Sequence, residues 1–385
     1  MVGARAWHVQ RGTDTRHENW VLPRGSCGSI RPNRPIFRSA STVGRDVVGG
    51  GPTIGEHGPW AVAWAREGNT PSQATGIAFS AMVAGLCCYT SCRTMIGTYP
   101  DLTELTLADH AILDPLLRQL REGVSELTFA GIYCFREPHG YRIARLPDGT
   151  IFLAGSDKGV PFFVCPFALP SADWLAQLFT RFSSLKLATE AQADQLRAAG
   201  YQVDEDRDNF DYIYRREDLA ALAGRALQKK RNLVNFFVKR STYQAHPLTP
   251  DRVADALAVL EAWRDSSSDL TDYAPAREAL LHATEFSLQG QIYYVEGAPA
   301  GYTLGETVID GTMLVVHYEK TIPNMKGLSQ VINMDFVRAQ PATCTLINRE
   351  QDLGDPGLRQ AKLTYRPCAF VKKYRVRRAT DNVEV

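Results

Sequence analysis

The chain has 385 residues, of which 44% are apolar and 22% are charged, and its formal net charge is +1. This is the composition of an ordinary globular protein with room for two or three domains, and it excludes a globally basic or acidic surface. Any binding of a polyanion must therefore come from local patches of basic residues.

The cysteines give no sign of a metal site. None of the eight forms a CxxC pair with another, so we expect no zinc site and no other bound metal. Scattered thiols suit a reducing compartment, and we therefore expect a cytoplasmic protein.

Residues 1–94 differ from the rest of the chain, because they contain arginine but no lysine and show no sustained helical or strand period. This composition predicts a disordered extension. The uncharged run 69–92 is diluted by Ser, Thr, Gly and Gln, and we expect no stable membrane span. The sequence is more typical of a folded protein from Met95 onward, and we interpret Met95 as a candidate start of translation.

Residues 95–214 are predicted to form a first domain. A helix begins after Thr106 and restarts at Pro115, because proline suits the first position of a helix. The turn 147–149 combines a proline with a glycine and joins two strands. The other predicted elements are strands 141–146, 151–154, 161–167, 185–187 and 209–214, and helices from Ser171 and over 190–199.

Residues 215–385 are predicted to repeat this plan as a second domain. One helix is predicted from Asp218 through Gly224 toward Arg240, and another begins at Pro250. The further elements are a helix over 275–288, a meander of strands 291–296, 300–306 and 312–320, a helix over 327–339, a strand over 344–348, a short helix near 360 and a strand over 368–371. Helices around a meander in each half predict the α+β class.

The last strand of the meander carries His317 and Glu319, which lie two residues apart. A regular strand would place both side chains on one face, where either could act as a general base if it is partly buried. The alternative is a polar cross-strand pair at the solvent-exposed end of the sheet.

Two basic segments are candidate phosphate sites. Lys326 and Gly327 precede a helix whose free N–H groups can hold phosphate, although an ordinary helix start has the same pattern. A basic helix interleaved with aromatic residues can bind phosphate groups of nucleic acid or lipid, whereas a solvated face is the usual alternative. This second segment contains Lys229, Lys230 and Arg231, followed by Phe236 and Phe237.

The stretch 347–374 concentrates charge of both signs around a glycine turn. A strand that ends at such a turn is a common way to build a site at a sheet edge. A solvated loop with weak ion pairs is the alternative. The candidate residues are Asn348, Arg349, Glu350 and Asp352 before the turn, and Arg359, Lys362 and Tyr365 after it.

These segments together resemble the phosphatidylglycerol lysyltransferase C-terminal domain family, a former domain of unknown function. The resemblance covers about 102–376, and it rests on EDRDNFDYIYRREDL, GRALQKKRN, HYEK, KGLSQVIN and INREQDLGDPGLRQAKLTYRP. Members have tandem acetyltransferase-like (GNAT) folds. The resemblance therefore implies two such halves, each a mostly antiparallel sheet flanked by helices.

The resemblance implies an aminoacyl- or acyltransferase acting on a hydroxyl or amine acceptor. The co-substrate would be aminoacyl-tRNA or acyl-CoA, with no metal or redox cofactor. Charged tRNA and an anionic lipid headgroup or small-molecule acceptor are the implied partners, at a cytoplasmic location that could be peripheral to the inner membrane surface. Acetyltransferases of this fold grip the CoA pyrophosphate with a glycine-rich loop, and only Gly327 of the two expected glycines is present.

The same resemblance suggests residue roles. Glu319 of HYEK is the candidate base, with His317 and Asp352 as further catalytic residues, and Asp352 is expected to hold Arg349 or Arg359. Arginine and lysine suit phosphate oxygens of the donor or acceptor. The predicted substrate-binding set is Lys326, Gly327, Asn348, Arg349, Glu350, Arg359, Lys362, Tyr365, Lys229, Lys230 and Arg231.

A second hypothesis is a non-catalytic tandem GNAT module that binds tRNA, a lipid headgroup or a protein partner. Convergence of Glu319, Arg349 and Lys362, with Asp352 and Arg359, around one cavity would favour the enzyme. A scatter of the same residues over a convex surface would favour the binding module.

Overall fold

The structure is a computed structural model that describes residues 96–379. The prediction that residues 1–94 form a disordered extension concerns residues outside this range.

The first half of the described chain alternates short strands and helices around one sheet. The hairpin turn at 147–149 forms as predicted, because Gly149 adopts a positive φ of 92°. The elements are β1 (Gly97–Thr98), β2 (Thr103–Glu104), α1 (His110–Leu117), α2 (Phe129–Cys134), α3 (Arg136–His139), β3 (Arg142–Arg145), β4 (Ile151–Asp157), β5 (Val160–Val164), α4 (Ala172–Arg181), β6 (Ser184–Ala188), α5 (Glu190–Ala198) and β7 (Gln202–Glu205).

The second half contains the predicted meander, which is followed by a helix and a strand. Its elements are β8 (Asp211–Arg215), α6 (Arg216–Ala221), α7 (Gln228–Val238), β9 (Tyr243–Pro247), α8 (Val253–Ser266), α9 (Tyr273–Leu281), β10 (Gln289–Val295), β11 (Ala298–Val308), β12 (Met313–Thr321), α10 (Leu328–Arg338), β13 (Leu346–Asn348), α11 (Pro356–Leu363), β14 (Ala369–Val371) and β15 (Tyr374–Arg377).

The helix predicted from Asp218 toward Arg240 is in fact two helices, α6 and α7. Leu222 and Gly224 both adopt left-handed backbone angles, with φ of 46° and 75°, and this conformation ends α6. The helix predicted over 275–288 is likewise shorter in the structure, where α9 ends at Leu281.

Two sheets, each mostly antiparallel and flanked by helices, confirm the predicted α+β class with tandem acetyltransferase-like halves. The first sheet has the order β1-β3-β4-β5-β6-β15-β7, and the second has the order β14-β8-β13-β12-β11-β10-β9. The strands 142–164 of the first half and the meander of the second half lie in different sheets.

The two sheets exchange one strand each. Strand β8 lies almost entirely within the predicted first domain, 95–214, but it pairs with β13 and β14 of the second sheet. Strand β15, the last described strand, returns to lie between β6 and β7 of the first sheet. The division after residue 214 that the sequence suggests therefore does not coincide with the division between the sheets.

A shared apolar core joins the two halves. Helices α1 and α2 of the first half pack against α8 and α9 of the second, and Phe129, Leu260 and Phe286 are buried among them. Two further clusters lie beneath α6, α7 and α10 in the second half, and beneath α4 and α5 in the first.

Strand β12 contains a β-bulge at His317. Leu304 of β11 pairs with Tyr318 and Gly305 pairs with Val316, so His317 is an extra residue on β12. Val316 packs in one apolar cluster and Tyr318 in another, which shows that the alternation of side chains reverses here. The bulge requires a glycine, because a Cβ on Gly305 would lie 2.2 Å from the carbonyl oxygen of Val315.

Candidate active site

A cavity of about 830 Å³ opens between the two halves and carries most of the candidate residues. The parallel pairing of β12 with β13 ends at Val315 and Asn348, and side chains from the continuing segments line the cavity wall. His317, Glu319, Arg349, Glu350 and Lys362 are among the lining residues, together with Glu126, Tyr141, His139 and Lys186 of the first half.

Glu319 and Arg349 form an ion pair across this gap. Arg349 Nη2 lies 3.4 Å from Glu319 Oε2, and the amide of Asn333 on α10 approaches the same oxygen at 3.5 Å. Burial raises the pKa of Glu319 above its ordinary value, and the charge of Arg349 offsets part of that rise. A carboxylate with these properties can accept a proton from a substrate.

His317 turns to different partners from Glu319, so the predicted common face is not observed. The reason is the bulge, which reverses the alternation between these residues. His317 Nδ1 lies 2.8 Å from Glu350 Oε1, and Nε2 lies 3.0 Å from Glu306 Oε1.

The contacts of His317 make it a cation and not a base. Each ring nitrogen faces a carboxylate oxygen at hydrogen-bond distance, an arrangement that favours a ring protonated on both nitrogens. Burial opposes the charge, but the bonds to Glu306 and Glu350 outweigh burial and raise the pKa of His317 to about 10. The ring holds Glu350 in place on the cavity wall.

Lys362 of α11 points into the loop that carries Arg349. Its Nζ donates to the carbonyl oxygen of Arg349 at 2.7 Å and also to that of Gln351. Within residues 96–379, no carboxylate oxygen lies within 4.0 Å of this nitrogen. Burial lowers the pKa of Lys362 to about 8, and the third N–H of its ammonium group is available to a ligand in the cavity.

Asp352 and Arg359 lie beside the cavity and do not line it. Arg359 binds both oxygens of Asp352 at 2.8 and 2.9 Å, which is the contact expected of this aspartate. The hydroxyl of Tyr212 adds a bond of 2.5 Å to the same carboxylate. Burial alone would raise the pKa of Asp352, but the bonds from Arg359, Tyr212 and the amide of Gly354 lower it well below its usual range.

This pair fixes the turn that precedes α11. Arg359 also bonds Asp208 at 2.6 Å, so its guanidinium is engaged with two carboxylates. We therefore assign Asp352 and Arg359 to holding the turn, and not to direct contact with a substrate.

The basic run of α7 divides into three different environments. Lys230 turns inward, and its Nζ lies 4.1 Å from the ring centroid of Tyr365, a buried residue that also lies beneath Arg349. Arg231 donates to the carbonyl oxygens of Leu222 and Gly224 and so holds the α6–α7 connection. Lys229 is exposed.

Gly327 is required by helix packing. It has a φ of 96°, and a Cβ there would lie 2.4 Å from the carbonyl oxygen of Leu233 on α7. The glycine therefore lets α10 begin directly against α7. Lys326 lies 4.9 Å from the ring centroid of Phe236. It is not among the residues that line the cavity.

Asn348 is fully buried and serves the framework of the site. Its amide donates to the carbonyl oxygen of Gly123 at 2.9 Å and to Asp211 at 3.1 Å. Its side-chain oxygen accepts from the backbone N–H of Glu350 at 2.7 Å. It thus joins the two halves and shapes the loop of Glu350 without reaching the cavity itself.

Sequence reasoning missed a buried cluster around Lys373. Lys373 Nζ lies 2.7 Å from Asp211 Oδ1, and both side chains are 0% exposed. It also bonds Glu126, whose carboxylate lines the cavity, and Ser125 donates two bonds to Asp211. Burial raises the pKa of Glu126, and the charge of Lys373 partly opposes that rise.

A second missed group lines the wall formed by the first half. Lys186 lies 3.1 Å from Asp157 and 4.5 Å from the ring centroid of Phe162. Burial lowers the pKa of His139, and the charge of Lys186 lowers it further. No local sequence signal pointed to these residues, because each contact joins different elements.

Every carboxylate that lines the cavity has a cationic partner. The cavity is therefore highly polar but carries little uncompensated negative charge. The pairs are Glu126–Lys373, Asp157–Lys186, Asp206–Arg375, Asp208–Arg359, Asp272–Lys320, Glu319–Arg349 and Glu350–His317.

Neither a metal-binding cluster nor a membrane-spanning helix is found within residues 96–379. Across this range, no three His, Cys, Asp or Glu residues are grouped so that they could hold a metal ion. None of the helices in the same range is long and apolar enough to cross a membrane.

Comparison with known proteins places the whole site within one family model. The model for the C-terminal part of phosphatidylglycerol lysyltransferase matches residues 117–377. This range includes every candidate residue discussed above.

Solved structures share the fold. A conserved protein of unknown function from Bacteroides thetaiotaomicron has a TM-score of 0.65 at 25% identity, covering 74% of this chain and 100% of that one. The C-terminal domain of a protein from Agrobacterium fabrum, named as a lysylphosphatidylglycerol synthetase, has a TM-score of 0.51 at 10% identity, over 71% of this chain and 93% of that one.

A curated relative is an uncharacterised protein of Mycoplasmoides gallisepticum, which is 27% identical over 179 residues. The match covers 43% of this chain, and the chain spans 55% of the length of that relative.

Proposed function

Because the chain belongs to the phosphatidylglycerol lysyltransferase C-terminal family, we propose that it transfers an aminoacyl or acyl group to a hydroxyl or amine acceptor. The observation that carries the proposal is the Glu319–Arg349 pair on the wall of the 830 Å³ cavity. It combines a proton acceptor with a cation where a substrate can reach both. Convergence of Glu319, Arg349 and Lys362 on one cavity, with Asp352 and Arg359 beside it, favours the enzyme over the binding module.

The proposed step is addition of the acceptor to the carbonyl carbon of the donor. The acceptor oxygen or nitrogen forms the new bond, its proton passes to Glu319, and the carbonyl electron pair moves onto the oxygen. Arg349 and the free N–H of Lys362 would stabilise this oxyanion. Collapse then breaks the bond to the leaving group, which takes the proton from Glu319.

We favour aminoacyl-tRNA over acyl-CoA as the donor. The single glycine at the start of α10 is explained by its packing against Leu233 of α7, and so it does not indicate a loop for the CoA pyrophosphate. A carboxylic ester on a ribose hydroxyl is already activated enough for attack by an alcohol or amine, so this transfer calls for no redox step.

The rim of the cavity favours an acceptor with an apolar portion, such as an anionic lipid. Leu353 and Leu358 line the cavity and are nevertheless 62% and 40% exposed. Exposed leucines beside a polar cavity suit a ligand with a polar headgroup and a hydrocarbon part. A small-molecule hydroxyl acceptor would leave these leucines unused.

The test is transfer of a labelled amino acid from charged tRNA to lipid or small-molecule acceptors, with products identified by mass spectrometry. We expect Glu319→Gln to lower the rate of transfer by roughly 10²–10⁴-fold, because a general base contributes about that much. Glu217→Gln is the matched control, since Glu217 is 76% exposed and lies outside the cavity.

Two outcomes would overturn parts of this proposal. Transfer by the Glu319→Gln variant at the wild-type rate would show that another group is the base. Binding of tRNA without transfer to any acceptor would instead favour the binding module.

A further inference from the structure

Several positive charges surround the candidate base Glu319. Arg349 lies 3.4 Å from its carboxylate, and Lys362 and Lys230 also lie close enough for their charges to act on it. Arg349 and Lys230 both pack on the ring of Tyr365, at 4.9 and 4.1 Å from its centroid. Three cations therefore act on this one carboxylate.

Two of these cations, and a third on the rim of the cavity, have no acid of their own. Within the described range 96–379, no carboxylate oxygen lies within 4.0 Å of the ammonium nitrogen of Lys362, Lys230 or Lys158. Lys158 is exposed in the turn between β4 and β5 and lines the cavity from the first half. A ligand oxygen that enters the cavity therefore meets ammonium groups that no acid neutralises.

The carboxylates of the cavity wall are in the opposite situation, because each already has a cationic partner. Glu126 bonds the fully buried Lys373, and Glu350 bonds the ring of His317 at 2.8 Å. A further ammonium group would have to share or break such a pair. A cationic ligand therefore meets no unpaired carboxylate among the described residues of the wall.

We infer that the group transferred at this site is an aminoacyl group whose side chain carries no positive charge. The inference rests on the proposed function, because it concerns the donor of that reaction. The carbonyl carbon of the donor must lie near Glu319 and Arg349, so the side chain of the amino acid begins among the cations described above. Every aminoacyl ester has an α-amino group, so the side chain alone distinguishes one donor from another. A lysyl or arginyl side chain would add a like charge to this region, whereas a neutral one would not.

This substrate class differs from the one that the family description names. The matching family model is described as the C-terminal part of phosphatidylglycerol lysyltransferase, and that description names lysine as the transferred amino acid. The pairing of charges in this cavity favours a different amino acid in this chain.

The test is competition binding at pH 7, followed by fluorescence polarisation, with RNA hairpins that end in CCA. The 3′ end carries alanine, norleucine or lysine in a stable amide linkage. Norleucine is the matched control, because it has the length of lysine but a methyl group in place of the ammonium group. We expect the lysyl hairpin to bind about tenfold more weakly than the norleucyl hairpin at low salt. The difference should shrink as added salt screens the repulsion.

A protein variant tests whether charge is the cause. Burial lowers the pKa of Lys362 to about 8, so this group is still charged at pH 7. Lys362→Met removes that charge and should reduce the tenfold difference to about threefold or less. Lys372→Met is the control, because Lys372 is 43% exposed and does not line the cavity. It should leave the difference unchanged.

Three outcomes would overturn the inference and leave the proposed function intact. They are equal binding of the lysyl and norleucyl hairpins, an equal loss for both relative to the alanyl hairpin, and a difference that Lys362→Met does not change. The second outcome would show that size and not charge selects the amino acid. If none of the three binds more tightly than a hairpin without an amino acid, the proposed donor is wrong and the inference fails with it.

Discussion

Lys373 offers the most direct test of how the two halves are held together. Its side chain is 0% exposed and lies between Asp211, which is also fully buried, and the cavity carboxylate Glu126. Replacement by methionine keeps most of the volume but removes the charge. Asp211 then becomes a buried anion without its cation.

The expected loss of stability is large because the surviving charge of Asp211 is not solvated. Removing one partner of a buried ion pair costs about 3–5 kcal/mol, since the other charge stays in a medium of low polarity. For a protein of this size, the melting temperature should fall by roughly 10 °C. Lys372→Met is the matched control, because Lys372 is 43% exposed and its pair with Glu205 is solvated, so its loss should change stability little.

The loss should also depend on pH in a defined direction. Lys373 lowers the pKa of Glu126, so its removal lets burial raise that pKa further. A folded-state pKa above the unfolded value of about 4.3 costs stability increasingly as the pH rises. The difference in the free energy of unfolding between Lys373→Met and wild type should therefore be smaller at pH 5 than at pH 8.

The assay is urea unfolding followed by fluorescence, at both pH values, for the wild type and the two single variants. The double variant Lys373→Met with Asp211→Asn removes both charges and should recover at least half of the loss. A free energy of unfolding for Lys373→Met within about 0.5 kcal/mol of the wild-type value at pH 8 would refute the reasoning. The loss of one partner of a buried ion pair is expected to lower that free energy several times more.

Three further predictions concern other parts of the chain. Gly327→Ala should destabilise the protein more than Gly149→Ala, because both glycines have a positive φ but only Gly327 would bring its Cβ against backbone; equal urea midpoints would contradict the packing argument. His317→Gln should cost most stability below about pH 6.5, and the difference from wild type should disappear as the pH rises through about 10, because the carboxylates outweigh burial and raise the folded-state pKa of His317 to about 10. Removal of residues 1–94 should leave the melting temperature unchanged, and a large drop would show that they pack on the core.

Much of the second half could be predicted because its turns have strong local chemistry. Glycine and proline at 297–299 and glycine at 311 marked the ends of the meander strands, and β10, β11 and β12 follow. Glu319, Arg349 and Lys362 also proved to lie together. A family motif and a clustered charge pattern both pointed to them.

The direction of His317 could not be read from spacing alone. Its neighbour Glu319 faces Arg349, whereas the bulge turns His317 to Glu306 and Glu350. Gly305, within strand β11, was the sequence signal that could have indicated the bulge. Without it, a regular alternation was the natural expectation.

The Lys373 cluster lay beyond local sequence reasoning for a different reason. Lys373 and Asp211 are separated by 162 positions, and they meet only because each lies where the chain crosses between sheets. Periodicity shows that a segment is a strand, but it does not show which sheet accepts it. Strand β15 and the partners of β8 were missed for this reason.

The exchange of strands has a consequence for biosynthesis. Strand β15 lies between β6 and β7, yet it leaves the ribosome after every other described strand. Until it arrives, β6 and β7 each present an unpaired edge, which is a site for aggregation or for pairing with a neighbouring chain. The first sheet therefore stays incomplete until residues 374–377 have been synthesised, and we expect the nascent chain to be most prone to aggregation during this interval.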